Sequence, residues 1–397
     1  LAYSKMINPN LLINTKNWNR IITLWKNGKL PHAILFHGPL GSGKEGHAQE
    51  LAALLNCKAT GNEKPCGSCS SCKRTRSFQH ENLKLVLPLP RGKIKTSDDP
   101  ITKAFVEPVL KEYLHMLKQK ETNPYYSTYI TGANTILINS IRNLKHDVAL
   151  STVNNEWRVV IISQAEKLCV PNPEAAHALL KILEEPPNKT IFILVSSKAN
   201  AILDTIHSRC QSIYFPPIST EVIQKNLLKS GADPIQAMVI ARISGGNIRL
   251  ARELNQNSTD LMEKLYLFLN ACFSSKPDIW NRCIETSSRL KAKDIHQMEQ
   301  LFSCVVLFFR DLLYYSSTGG DDDEIIFRNQ MGKINKLTKT YIQADWHTCI
   351  QHIENTQNYI SRNGYLPLQL ICMFLDIQRS LRGEIYEFFK LNDWMPA

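Results

Sequence analysis

The sequence predicts an α/β domain built on a parallel sheet, continued toward the C-terminus by helices alone. Two observations predict it. Apolar runs of strand length at 33–36, 157–162, 190–195 and 212–215 alternate with segments of helical periodicity, which is the pattern of a parallel sheet with crossover helices. Beyond Pro217 no such run recurs, and apolar residues return only at helical spacing.

The chain has 397 residues, enough for two or three domains, and its 43% apolar content gives each of them material to bury. Trp18, Ile21, Ile22 and Trp25 share one face of a helix that Gly28 and Pro31 close. The run 33–36 then leads into Gly38-x-x-x-x-Gly43-Lys44, and helical composition follows. Strand, glycine loop and helix in that order make a P-loop. Gly38, Gly41 and Gly43 let backbone N–H groups turn in around a phosphate, the helix N-terminus adds its positive end, and Lys44 can reach the outer phosphates. The next position should carry a hydroxyl for magnesium. It carries Glu45 instead, a bulky anion directed at the place of another anion, so the nucleotide pocket reads as built and then spoiled.

Four of the 11 cysteines follow in a cluster, Cys57, Cys66, Cys69 and Cys72. Their C-x8-C-x2-C-x2-C spacing, with Gly67 and Ser68 in the middle knuckle, suits tetrahedral thiolate coordination of zinc, and no open position marks the ion as catalytic. The expectation is structural zinc in a module over about 57–75. The other seven stand singly, and Cys304 and Cys372 read as small buried hydrophobes. Residues 89–134, with prolines at 90, 100, 108 and 124 and another just before them at 88, surround a charged helical piece and read as a surface insertion to which no chemistry attaches. Helical periodicity resumes over 136–150. After the strand 157–162, a regular helix starts at Asn172 and Pro173, presents Ala176, Leu179, Leu180 and Leu183 on one face, and stops at Glu185-Pro186-Pro187. A short helix precedes Ser208-Arg209-Cys210 and the last strand. Short helices and the turn Gly245-Gly246-Asn247 follow, then long helices over 295–314, 341–359 and 366–388, with an acidic loop at 319–324. The expected division is an α/β domain over 1–217, a small helical domain over 218–256 and a larger helical domain over 257–397.

Lys and Arg exceed Asp and Glu by 47 − 36 = 11, a surplus that favours a polyanionic partner. No apolar run approaches the ~20 residues of a membrane helix, and the N-terminal stretch lacks a signal-peptide core, so a cytoplasmic protein without membrane contact is expected.

Residues 30–44 (LPHAILFHGPLGSGK), the four cysteines after the P-loop helix, 178–187 (ALLKILEEPP) and Ser208-Arg209-Cys210 together resemble the bacterial clamp-loader subunits, the AAA+ proteins of DNA polymerase III. The resemblance covers about 11–255, and the C-terminal helices fit the family's collar by composition and position. It implies an AAA+ P-loop domain with a zinc-binding insertion, a helical lid and an all-α collar. The family has an ATPase gamma/tau kind and a delta-prime kind with a degenerate pocket. A working site ends its second strand with carboxylates that seat magnesium and polarise water. Here Ser163 and Gln164 stand there, and Glu166, two residues on, is expected on another bearing. The delta-prime kind is therefore implied: no hydrolysis of its own and no magnesium site. The resemblance also makes Arg209 an arginine finger supplied in trans to a neighbour's ATP. It places Arg249 as the second sensor arginine and Ser196 or Ser197 at the first sensor. Lys44 and Arg249 leave nucleotide binding without hydrolysis open. Implied partners are gamma/tau and delta subunits, the sliding clamp, and primed DNA through phosphate contacts. Two alternatives stay open: an active gamma/tau-like ATPase, and a zinc-bearing AAA+ adaptor outside replication.

Overall fold

The computed structural model describes residues 6–59, 63–149, 156–256, 258–288, 295–319, 324–361 and 365–384. Position 150, the acidic loop at 320–323 and the expected helical stretch 385–388 lie outside the described residues. The chain forms two compact units, Leu1–Ser219 with Gly246–Arg249, and Thr220–Gly245 with Leu250–Ala397.

The first unit holds five strands: β1 (Ala33–His37), β2 (Leu83–Val86), β3 (Arg158–Ser163), β4 (Thr190–Ser196) and β5 (Gln211–Tyr214). They pair in parallel in the order β2-β3-β4-β1-β5. His37 lies opposite Ser196 and Tyr214, and Ser163 opposite Val195. This register brings the carboxyl ends of β1, β3 and β4 to one edge, where open α/β sheets bind ligands. β2 has no counterpart in the sequence pattern, because four residues including Lys84 are too few to show a period.

The side chains of β1, β3 and β4 alternate between two layers. Ile34, Phe36, Val159, Ile161, Ile191 and Ile193 pack with α1 (Thr15–Lys26) and α2 (Lys44–Leu55) through Trp18, Ile21, Leu51 and Leu55. Leu35, Val160, Ile162, Phe192 and Leu194 pack with α5 (Ile138–Ala149) and α6 (Glu174–Glu184) through Ile141, Leu144, Ala176 and Leu179. Burial on both faces is why these strands read as continuous apolar runs. α6 begins one step later than the sequence suggests: Pro173, not Asn172, is its N-cap and makes no side-chain capping bond. Between α2 and β2 stands α3 (Ser70–Arg76), and α7 (Asp204–His207) precedes β5. The insertion is more ordered than its prolines suggest. It carries α4 (Glu107–Thr122), and Leu89, Ala104, Val109, Met116 and Ile130 form an apolar cluster of their own.

The second unit, among the described residues, is helical: α8 (Thr220–Lys229), α9 (Pro234–Ile243), most of α10 (Ile248–Gln256), α11 (Ser258–Cys272), α12 (Pro277–Ser288), α13 (Ile295–Thr318), α14 (Met331–Thr340), α15 (Trp346–Ser361) and α16 (Leu366–Leu381). Phe268 meets Phe302 and Phe374 edge-on at 5.3 and 5.5 Å, which ties α11, α13 and α16 together. α15 starts at Trp346 rather than 341 because Asp345 caps it, taking the Thr348 N–H at 3.0 Å. Cys304 is buried, but Cys372 is exposed on α16, against the reading of both as buried hydrophobes. Its helix buries the neighbouring positions Leu370, Met373 and Phe374 instead. Among the described residues no helix is long and apolar enough to cross a membrane.

Candidate nucleotide-binding site and cysteine knuckle

The loop between β1 and α2 is shaped by its glycines. Gly38 has φ +142°, and a Cβ there would lie 2.1 Å from the Phe215 carbonyl oxygen. Gly43, at φ +85°, is the left-handed N-cap of α2. Lys44 folds back on this loop, its Nζ donating to the carbonyls of Gly38 (2.7 Å) and Pro39 (2.5 Å) and to Ser42 Oγ (3.2 Å). Burial brings the lysine down to about 8, against the opposing charges of Glu45 and Glu166.

A cavity of about 290 Å³ opens over the loop, with Gly41, Gly43, Lys44, Glu166, Ser197 and Arg249 in its lining. Residues 124–129 of the insertion form another wall. The structure thus brings the P-loop and Arg249 together around one space, with the Gly38 carbonyl holding Lys44 at its edge. The volume is close to the ~300 Å³ at which ligand pockets begin. His47 fixes the approach to this loop. Its Nε2 accepts the Asn14 N–H at 2.9 Å, so Nδ1 carries the proton donated to the Gly43 carbonyl at 2.8 Å. Burial lowers its pKa to about 4 and keeps the ring neutral.

Glu45 also lines this cavity, but its charge is met from within the chain. Its Oε2 meets Lys120 Nζ of α4 at 2.5 Å, and its Oε1 accepts from Thr128 Oγ1 at 2.8 Å and from Ser163 Oγ. Burial alone would raise this carboxyl. The Lys120 charge and the hydrogen bonds from Lys120, Ser163 and Thr128 outweigh that and hold it below the usual carboxylate range. The insertion, to which the sequence assigned no chemistry, therefore supplies the counter-ion. Glu166 corrects the sequence reading, since it lines the cavity rather than pointing elsewhere. Its oxygens accept Ser196 Oγ at 2.7 Å and Ser197 Oγ at 3.1 Å, so both candidate sensor serines are bound to it. At the end of β3, Gln164 takes a left-handed conformation (φ 52°) and donates from Nε2 to the Thr128 carbonyl at 3.2 Å.

Arg209 does not line the cavity. It follows α7, with Nη1 donating to the Thr205 carbonyl at 2.9 Å and Nη2 paired with Glu184 Oε1 at 2.7 Å, its side chain 36% exposed.

At the opposite end of α2, the Sγ atoms of Cys57, Cys66, Cys69 and Cys72 all lie within 4.8 Å of one another, and those of Cys66 and Cys72 are 3.9 Å apart. Four thiolates around zinc at ~2.3 Å stand ~3.8 Å apart, so these residues fit the ion and can hold it. The Cys66, Cys69 and Cys72 N–H groups donate to the sulfurs of Cys57, Cys66 and Cys69 at 3.3, 3.3 and 3.4 Å. Backbone donors at Cys69 and Ser68 pull the Cys66 thiol down to about 6, whereas burial pushes the Cys57 and Cys72 thiols up.

A five-stranded parallel sheet with a glycine loop, lysine and cavity at its carboxyl edge, followed by helices, defines a P-loop protein of the AAA+ class. Residues 13–219 match the family described as DNA polymerase III, delta subunit, and the chain belongs to this clamp-loader family. It is similar to DNA polymerase III subunit delta' of Bacillus subtilis (strain 168), with 29% identity over 229 residues, 58% of this chain and 55% of that protein. Against DNA polymerase III subunit tau of the same organism the identity is 28% over 232 residues, 57% of this chain and 33% of tau. DNA polymerase III subunit delta' of Haemophilus influenzae is 28% identical over 213 residues, 54% of this chain and 51% of that protein. The aligned part thus spans about half the length of these delta' relatives.

Proposed function

We propose that the chain is a delta-prime-like subunit of the DNA polymerase III clamp loader, which helps place the sliding clamp on primed DNA without hydrolysing ATP in its own site. One observation carries this reading. The groups that would seat magnesium and prime a water are replaced by Ser163 and Gln164 at the end of β3, and the only carboxylate on the first turn of α2, Glu45, is bound to Lys120. Phosphoryl transfer depends on the metal and on positioning, so their loss removes most of the catalysis. Arg209 then acts on a gamma/tau neighbour, where its guanidinium leaves Glu184 for charge developing on the γ-phosphate. In this reading the four cysteines hold a structural zinc, 218–256 is the lid, 257–397 is the collar that joins the ring, and the delta subunit does most of the clamp opening. The basic surplus of 11 serves phosphate contacts with DNA.

A second reading has one observation in its favour. Glu166 lines the cavity and could serve as a base, which would make the chain a gamma/tau-like ATPase. Phosphate release by the purified chain separates the two. The proposed function predicts no release above that of Lys44→Ala, whereas turnover abolished by both Lys44→Ala and Glu166→Gln would establish the ATPase. Co-purification with clamp-loader subunits tests the assembly, and its absence would favour an adaptor outside replication.

A further inference from the structure

In a P-loop that works with magnesium, the ion sits between a hydroxyl on the first turn of the helix and a carboxylate at the end of the neighbouring strand. Both kinds of group are present in this chain with their places exchanged. The carboxylate, Glu45, is on the helix and the hydroxyl, Ser163, ends the strand. Thr128 adds a third oxygen, 2.7 Å from Ser163 Oγ and 2.8 Å from Glu45 Oε1. These two hydroxyls bond Glu45 Oε1, and an ammonium meets the other carboxylate oxygen. Lys120 Nζ is 2.5 Å from Glu45 Oε2 and donates to the Tyr126 carbonyl at 2.9 Å, with its side chain only 3% exposed. A buried ammonium persists only where fixed oxygens replace its water. For Lys120 they are Glu45 Oε2 on α2 and the Tyr126 carbonyl of the insertion.

We infer that Lys120 stands in for the divalent cation of this P-loop, so that Glu45, Ser163 and Thr128 form a latent divalent-cation site that the lysine keeps closed. The carboxylate and two hydroxyls are hard oxygen donors of the kind magnesium and manganese take. The ammonium neutralises Glu45 from within the chain. An anion approaching Lys44 and Arg249 then meets no uncompensated carboxylate from α2 and needs no metal to screen it. This rests on the proposed function for the nature of that anion alone. The cation exchange concerns the isolated chain and stands or falls without partner subunits.

The test is a Mn²⁺ titration of the zinc-loaded full chain, read by the loss of the free-ion electron paramagnetic resonance signal. The wild type should show no tight Mn²⁺ site in this pocket. Lys120→Met should gain one, bound at least tenfold more tightly, and lose it again in the Glu45→Gln, Lys120→Met double variant. Mn²⁺ should also raise the Tm of Lys120→Met and leave that of the wild type unchanged. Equal Mn²⁺ affinity in the wild type and Lys120→Met would overturn the inference. Should Lys120→Met not fold, the wild type decides alone: a tight Mn²⁺ site that Glu45→Gln abolishes overturns it, and no Glu45-dependent site upholds it.

Discussion

The P-loop and the cysteine knuckle lie at the two ends of one helix, α2, and each gathers a positive charge differently. At the C-terminal end, Cys57 follows the helix directly and three more thiols come from within 15 residues. Their sulfurs converge on a gap of metal size. At the N-terminal end the anion, Glu45, sits in the first turn, where the helix dipole favours it. Its cation arrives from α4, 75 residues along the chain. A site whose ligands are neighbours in sequence can wait for an ion from solution. One whose parts come from separate elements forms only when the fold brings its own cation. With zinc held there, the first would tie stability to metal supply, whereas the second does not.

The contrast is sharpest where metal is removed. Cys72→Ser, at a fully buried sulfur, should abolish zinc binding and lower stability by at least about 4 kcal/mol, the scale expected for loss of a structural metal. Metal analysis and denaturant unfolding would report this. Zinc-free wild type with unchanged stability would make the knuckle a dispensable appendage. At the other end Lys120→Met should cost about 3–5 kcal/mol, because it strands Glu45, and the Glu45→Leu, Lys120→Met double variant should recover most of it. Additive losses in that cycle would mean the two residues are not coupled.

Both ends of α2 are legible in the sequence to different degrees, for a physical reason. Gly38, Gly43, Lys44 and the cysteines were readable because their chemistry depends on spacing along a few turns. Lys120 and Thr128 were not, because nothing in a proline-marked insertion tells which element its lysine will reach. The sequence places Glu166 past the strand end and so on another bearing, yet the short helical turn after Gln164 brings it back to the cavity. The buried strands were legible through their continuous apolar runs, and β2 was not, being an edge strand of four residues. The helical unit was visible only as periodicity.

Glu50, midway along α2, offers a test by pH. It accepts the Ile7 and Asn8 N–H groups at 3.1 and 2.7 Å, and burial raises it from 4.5 to about 7 despite them. Between these values the folded chain keeps a proton that the unfolded chain has released. The stabilisation is therefore complete below pH ~4.5 and is lost as pH rises through about 7, a change of about 3 kcal/mol. Glu50→Gln should flatten that part of the stability profile, and an unchanged profile would assign the slope elsewhere. The smallest effect is expected at the surface. Glu184→Gln, which releases Arg209, should change stability by less than about 1 kcal/mol, since both partners are exposed.

The most direct measurement is DNA-stimulated ATP turnover of a clamp loader reconstituted with this chain carrying Arg209→Ala. If the chain lends its guanidinium to a neighbour, the complex should assemble normally while the adjoining ATP site loses turnover by about 10³-fold or more, as arginine fingers elsewhere imply. Normal assembly with wild-type turnover at every site would contradict the account.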